Sequence, residues 1–290
     1  MVAIRFKKRY FIYLPLLGYL LFNYSCLTMR TSRSQTKKYF EEQKVAYVDT
    51  TVQLGNQEIH YIQTGKSNAP TLVFVHGSPG SWDAYKGYLA DSVLREHFRI
   101  IAPDRPGFGY SNYRKSMGLK AQAEQLNALL VALSNGEEYT LIGHSYGGPL
   151  IVQMAVDQPA LYDNLAIFAG ALDPNCEKPE RWRYPLGAFP LKYLVPGSLR
   201  PSNEELILLK TDLQVLEKEL DKVSQNVLII HGTEDKLVPY ANVPFMQRKL
   251  TAAKNLKLLP LEGQNHFFIW EQQDFVKKSL MDWLRPQEQP

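Results

Sequence analysis

The stretch Gly143-His144-Ser145-Tyr146-Gly147, with Gly148 next, constrains this chain more than any other. It directly follows an apolar strand pattern at residues 139–142 and opens a helical pattern that runs through 151–157. A serine placed on so sharp a strand-to-helix turn has little room around it. Small residues on either side let the turn close and leave the hydroxyl projecting from the sheet. A G-x-S-x-G string occurs by accident in many proteins, so the strand-to-helix setting carries the weight here.

The rest of the chain supplies the sheet. Residues 46–54 and 57–64 alternate apolar and polar side chains about Gly55-Asn56, which predicts an antiparallel hairpin. Continuous apolar runs at 71–75, 99–102, 139–142, 165–169, 226–230 and 256–261 predict strands covered on both faces. Helical spacing at 117–133, 240–250 and 273–284 falls between or after them. The expected fold class is α/β: a mostly parallel central sheet with helices on both faces. Reactive groups in such sheets gather on loops at the carboxyl ends of strands.

One segment, 173–224, breaks the alternation. Its first part is rich in Pro and aromatics, including Trp182, Tyr184, Phe189 and Tyr193. Its second part carries Leu206, Leu209, Leu213, Leu216, Leu220 and Val223 at alternating steps of three and four, a face that a helix must bury. It reads as a small helical cap inserted between two core segments, 45–172 and 225–290.

A serine hydroxyl is a weak nucleophile near neutral pH and needs a base, itself oriented by a carboxylate. Of the six histidines, His60 and His97 suit surface or structural roles, and His76 and His231 sit where a ring braces a loop. His144 abuts the serine but should diverge from its hydroxyl. His266, in Gly263-Gln264-Asn265-His266-Phe267, follows the last strand on the reactive edge and is the expected base. Asp235, after the strand at 226–230, is the expected carboxylate, with Glu234 and Asp173 as alternatives. Backbone N–H groups of Ser78, in His76-Gly77-Ser78-Pro79-Gly80, and of Tyr146 are the expected oxyanion donors; Pro79 has no N–H to give. Trp82, Tyr110, Trp182 and Tyr184 are candidates for lining the pocket under the cap.

The order His76-Gly77-Ser78-Pro79-Gly80, Asp104-Arg105-Pro106-Gly107-Phe108-Gly109, the elbow at 143–148, Asp235 and His266 resembles the α/β-hydrolase superfamily over roughly residues 46–285. Ser…Asp…His is the chain order of that superfamily. The resemblance implies a structural turn at 104–109 and a lid where the cap segment lies. Epoxide hydrolases and haloalkane dehalogenases of this fold carry Asp at the elbow, so Ser145 points to acyl transfer instead. Prolyl aminopeptidases often carry Trp where Tyr146 stands. The expectation is a cofactor-free serine hydrolase acting on an ester-like bond of a small molecule. Thioester cleavage, aminopeptidase action, carbon–carbon bond hydrolysis and a non-catalytic membrane-tethered binding protein stay open. No metal-ligand, dinucleotide or P-loop motif appears in the sequence.

Charge separates the N-terminus from everything else. Of the net +4, Arg5, Lys7, Lys8 and Arg9 account for all; the remaining 29 basic side chains match 29 acidic ones. The excess therefore makes no case for nucleic acid. This basic stretch precedes an uncharged run to Met29, the pattern of a signal peptide or membrane anchor over 1–25. Ser25-Cys26 resembles a relaxed bacterial lipoprotein processing site, with Cys26 the lipidated residue and Asn23 standing where Leu is usual. Export and membrane attachment are expected, with residues 26–44 as a polar tether. Cys176 is the only other cysteine, and no CxxC pattern exists.

Overall fold

The computed structural model describes residues 10–25, 27–113, 117–178 and 180–285. Eight strands form one sheet: β1 Val48–Leu54, β2 Gln57–Gly65, β3 Thr71–Val75, β4 Arg99–Pro103, β5 Tyr139–His144, β6 Asn164–Phe168, β7 Asn226–Gly232 and β8 Asn255–Leu261. Their spatial order is β1-β2-β4-β3-β5-β6-β7-β8. The β1–β2 hairpin and the β2–β4 pair are antiparallel, and every other pair is parallel. Each strand falls on its sequence expectation within a few residues.

The helices are α1 Tyr10–Ser25, α2 Arg33–Glu42, α3 Lys86–Ala90, α4 Ser92–His97, α5 Leu119–Ala132, α6 Gly147–Asp157, α7 Arg183–Gly187, α8 Leu199–Leu216, α9 Asn242–Lys249, α10 Phe268–Glu271 and α11 Gln273–Leu284; α5, α6 and α9 pack on one face of the sheet and α3, α4, α10 and α11 on the other. The two-residue period of a strand decides what each face receives. On β3, Val73 and Val75 join a core with Leu126, Leu130, Ile151 and Met246, while Leu72 and Phe74 join one with Tyr88, Leu94, Ile269 and Leu280. With β3, β4, β5 and β6 buried along their whole length, polar alternation has no place in them.

The cap comprises α7, a 3-10 turn at Leu191–Leu194, α8 and a second 3-10 turn at Glu217–Lys222. Leu209, Leu213, Leu216, Leu220 and Val223 are buried and Leu206 packs against them, so the stripe is the face that seats the cap segment.

Of the N-terminal expectations, the polar tether over 26–44 is the one the structure departs from. Cys26 lies outside the described residues, as do Arg5, Lys7, Lys8 and Arg9. Helix α1 is uncharged, with Phe11, Ile12, Leu17 and Leu21 exposed; among the described residues no helix is long and apolar enough to cross a membrane. Residues read as a polar tether instead contain α2, which starts with a capping box: Gln35 N–H donates to Ser32 Oγ and Ser32 N–H to Gln35 Oε1. Phe40 is fully buried, stacked on Tyr47 at 4.5 Å and on Trp82 at 6.0 Å. An adjacent pair of aromatics, Tyr39-Phe40, in a charged stretch has no periodicity to announce it; the burial of Phe40 is settled by the surface it meets. Phe40→Ala should lower unfolding stability by about 3–5 kcal/mol, as for other buried aromatics. Urea unfolding of the two proteins measures this, and an unchanged midpoint would return the segment to a tether.

Candidate active site

The elbow joins the end of β5 to α6. Ser145 has φ of +57°, in the left-handed region that non-glycine residues avoid. It is held there from both sides: its N–H donates to the Phe168 carbonyl at 3.0 Å, and its carbonyl accepts from Gly148 N–H at 2.9 Å. The flanking glycines are required by approach of backbone to backbone. A Cβ at Gly147 would strike the Val75 carbonyl, and one at Gly143 would strike the Gly147 carbonyl. Such strain costs on the order of 1–3 kcal/mol and persists only where the surroundings enforce it.

His266 and Asp235 meet. They come from loops after the adjacent parallel strands β8 and β7, and His266 Nδ1 lies 2.6 Å from Asp235 Oδ2. The other carboxylate oxygen accepts from the amides of Val238 at 2.8 Å and Leu237 at 2.9 Å. Burial pushes the Asp235 pKa up, but the hydrogen bond and charge of His266, with the two amides, outweigh it and hold the carboxyl below its ordinary value. An ionised carboxylate only accepts, so Nδ1 carries the proton and Nε2 is left with its lone pair, the arrangement a general base needs. Glu234 is exposed, and Asp173 accepts from the Asn175 amide at 2.8 Å. Neither pairs with His266.

His144 turns away from the Ser145 hydroxyl and secures the loop that carries His266. Its Nε2–H donates to the His266 carbonyl at 3.0 Å, and the two rings lie 4.6 Å apart. The Ser145 hydroxyl makes no hydrogen bond among the described residues; catalytic bonds of this kind often close only around substrate.

The loop after β3 lies directly against the elbow. A Cβ built on Gly77 would sit 3.0 Å from Ser145 Cβ. No described residue accepts the N–H of Ser78 or of Tyr146, so both expected donors are uncommitted. Arg105, which follows β4, lies beneath this loop and is fully buried. It donates to the Gly77 carbonyl, to Gln122 and to Glu205 of α8. Sequence reasoning assigned the turn around Arg105 a structural role and had no signal for Glu205 or Gln122.

His76 and His231 brace loops: His76 Nδ1–H donates to the Gly77 carbonyl at 2.8 Å, and His231 Nε2–H donates to the Val238 carbonyl at 2.9 Å. His60 is buried rather than on the surface, between Asp104 at 2.8 Å and Asp49 at 3.0 Å. The aromatic candidates disperse. Trp82 belongs to the core with Phe40, Tyr110 packs on His60, and Trp182 and Tyr184 are half exposed on the cap.

Burial holds His76 and His144 at pKa values of about 3, against an ordinary 6.5. Between those values the unfolded chain binds more protons, so stability rises with pH there and is lost as pH falls below about 6.5. His60, with its pKa raised, is protonated in both states in that window and adds no slope. His231, also lowered by burial, adds a slope of the same sign. Unfolding free energy should therefore fall from pH 6.5 to 5, each of the His76 and His144 rings approaching about 1.4 kcal/mol per pH unit at the acid end of that range. Denaturant titrations across that range test this; a flat profile would contradict it.

A family model described as alpha/beta hydrolase fold matches residues 70–194. The magnesium-chelatase 30 kDa subunit of Rhodobacter capsulatus is 37% identical over 100 residues, 34% of this chain and 34% of that protein. This chain thus spans about a third of the length of the first curated relatives it matches. The pimeloyl-[acyl-carrier protein] methyl ester esterase of Nitrosomonas europaea is 26% identical over 256 residues, covering 74% of this chain and 96% of that one. The solved structure of a membrane phospholipase A, described as a bacterial virulence factor, superposes with a TM-score of 0.63 at 21% identity, covering 96% and 99%. Other matches have different chemistries, epoxide hydrolases and a proline iminopeptidase among them. The sheet order, the elbow and these likenesses agree: the chain has the α/β-hydrolase fold, and its residues 70–194 match the model of that family.

Proposed function

We propose that this protein is a serine hydrolase that cleaves an ester-like acyl bond of a small molecule. Ser145 attacks the carbonyl and passes its proton to His266 Nε2, while Asp235 stabilises the imidazolium. The amides of Ser78 and Tyr146 take the oxyanion, and water then resolves the acyl-enzyme. The observation that carries this reading is the 2.6 Å His266–Asp235 bond, with Nε2 of His266 unpaired among the described residues and the His266 backbone held by His144, the residue next to a left-handed serine. A fluorophosphonate probe should label the wild-type chain at Ser145 and leave Ser145→Ala unlabelled. Short-chain p-nitrophenyl esters should be turned over by the wild type alone. A wild type that neither labels nor releases product from esters, thioesters or arylamides would refute the reading.

We further propose that the protein is exported and held at a membrane through lipid on Cys26, with residues 1–25 as the signal segment. Its attachment point is supported by the chain that follows. Ser198 N–H donates to the Leu27 carbonyl at 2.7 Å and Ser198 Oγ–H to the Thr28 carbonyl at 2.5 Å, which ties that chain to the cap. The cap exposes Trp182, Tyr184, Phe189 and Tyr193, aromatic side chains suited to a lipid interface. A bilayer against the cap would favour an acyl substrate drawn from the lipid phase. Metabolic labelling with palmitate should mark the wild type and not Cys26→Ala. Equal labelling of both, or of neither, would overturn the lipid assignment.

A further inference from the structure

We propose that Arg105, clamped by Glu205 of the cap, positions both oxyanion donors, so that the cap helps to set transition-state stabilisation as well as to cover the site. This rests on the reading of the Ser78 and Tyr146 amides as the oxyanion hole. The peptide unit between Gly77 and Ser78 is planar and trans, so its carbonyl and its N–H point in opposite directions. The carbonyl accepts from Arg105 Nη2 at 3.0 Å and from His76 Nδ1 at 2.8 Å. Two donors on one side fix the plane, and the Ser78 N–H is thereby aimed to the other. The same guanidinium lies over the Tyr146 ring, 4.5 Å from its centroid. Gln122 closes a second route: it accepts from Arg105 Nη1 at 2.6 Å and donates to the Tyr146 hydroxyl at 3.2 Å. One side chain thus touches the supports of both donors.

Arg105 is in turn held from outside the core. Glu205 lies on α8 and grips it with both oxygens, each at 2.8 Å, and neither partner is more than 1% exposed. Phe108 covers the guanidinium at 4.6 Å. A planar fork is needed to satisfy Gly77, Gln122 and both carboxylate oxygens together; a lysine ammonium cannot present those directions at once. A second tie joins the same elements, since Ser78 Oγ–H donates to Ser202 Oγ of α8 at 2.8 Å. Displacement of α8 would therefore reach the Gly77–Ser78 peptide through two separate contacts.

The test uses the full chain with p-nitrophenyl esters and a boronic acid inhibitor, whose tetrahedral adduct with Ser145 fills the oxyanion hole. Removing one oxyanion donor outright costs roughly 10²–10³ in kcat. Loosening the support should cost less, so Glu205→Ala and Arg105→Lys should lose roughly 10- to 100-fold in kcat with KM within about three-fold of wild type. Boronate affinity should fall by a factor similar to kcat. Glu205→Gln keeps the shape and one acceptor and should recover most of the Glu205→Ala loss. Should Glu205→Ala fail to fold, Arg105→Lys, checked by its thermal midpoint, decides the matter. Wild-type kcat and boronate affinity in folded Arg105→Lys, or a loss confined to KM, would overturn the inference while leaving the hydrolase reading intact. A wild type unreactive toward esters and boronate alike would overturn the hydrolase reading, and this inference with it.

Discussion

The carboxyl end of β5, between β3 and β6, is the constraint around which this molecule is organised. Three parallel strands end beside one another there, and each contributes one piece to the same small volume. β5 delivers Ser145, β6 fixes its amide through the Phe168 carbonyl, and β3 brings Gly77 and Ser78 over it. Gly143 and Gly147 must be side-chain-free because backbone carbonyls occupy the space a Cβ would need. The left-handed conformation of Ser145 is the local result of that crowding. Parallel pairing makes the convergence unavoidable, since all strand ends bearing reactive loops face one way.

Around this edge the protein buries charge and pairs it. Arg105 with Glu205, His60 with Asp104, and His266 with Asp235 all lie in or near the loops at the strand ends. Breaking a buried ion pair by removing one partner typically costs about 3–5 kcal/mol, although replacing both with well-packed apolar groups is often neutral. These pairs are therefore better understood as geometric than as sources of net stability. His60–Asp104 shows it well: Asp104 also accepts from the amides of Trp82 at 2.8 Å and Tyr110 at 2.9 Å, so one buried carboxylate shapes two loops. The folded state ties cap to core by the same means, through Glu205 and Ser202.

Strand positions, the elbow and the catalytic candidates were legible because each leaves a local trace. An apolar run marks a buried strand, G-x-S-x-G between strand and helix marks a strained turn, and a histidine after the last strand lies on the reactive edge. Asp235 was one of three acidic candidates after strands, with Glu234 closer still to β7, and it is the tertiary structure that pairs it with His266. The tether over 26–44 was misread because its few apolar side chains, Phe40 beside Tyr39 among them, lack the repeat that identifies a buried face. The aromatic lining was misread for a related reason: Trp82 and Tyr110 are chemically suited to a pocket, but tertiary packing assigns Trp82 to the core and Tyr110 to a ring contact with His60.

The amino-acid sequence alone determined the strand and helix pattern, the placement of a serine on a turn that only small neighbours permit, and the chain order of Ser145, Asp235 and His266, the candidate nucleophile, carboxylate and base. These follow from side-chain periodicity and from residue types that are restricted by local backbone geometry. Only the tertiary structure decided that Arg105 and Glu205, a hundred positions apart, share two hydrogen bonds beneath the loop carrying Ser78. It also decided that His144 braces His266 and that residues 27 and 28 are tied to the cap. Such contacts have no sequence period, because they depend on where distant strands end in space and on the need of each buried polar group to find a partner there.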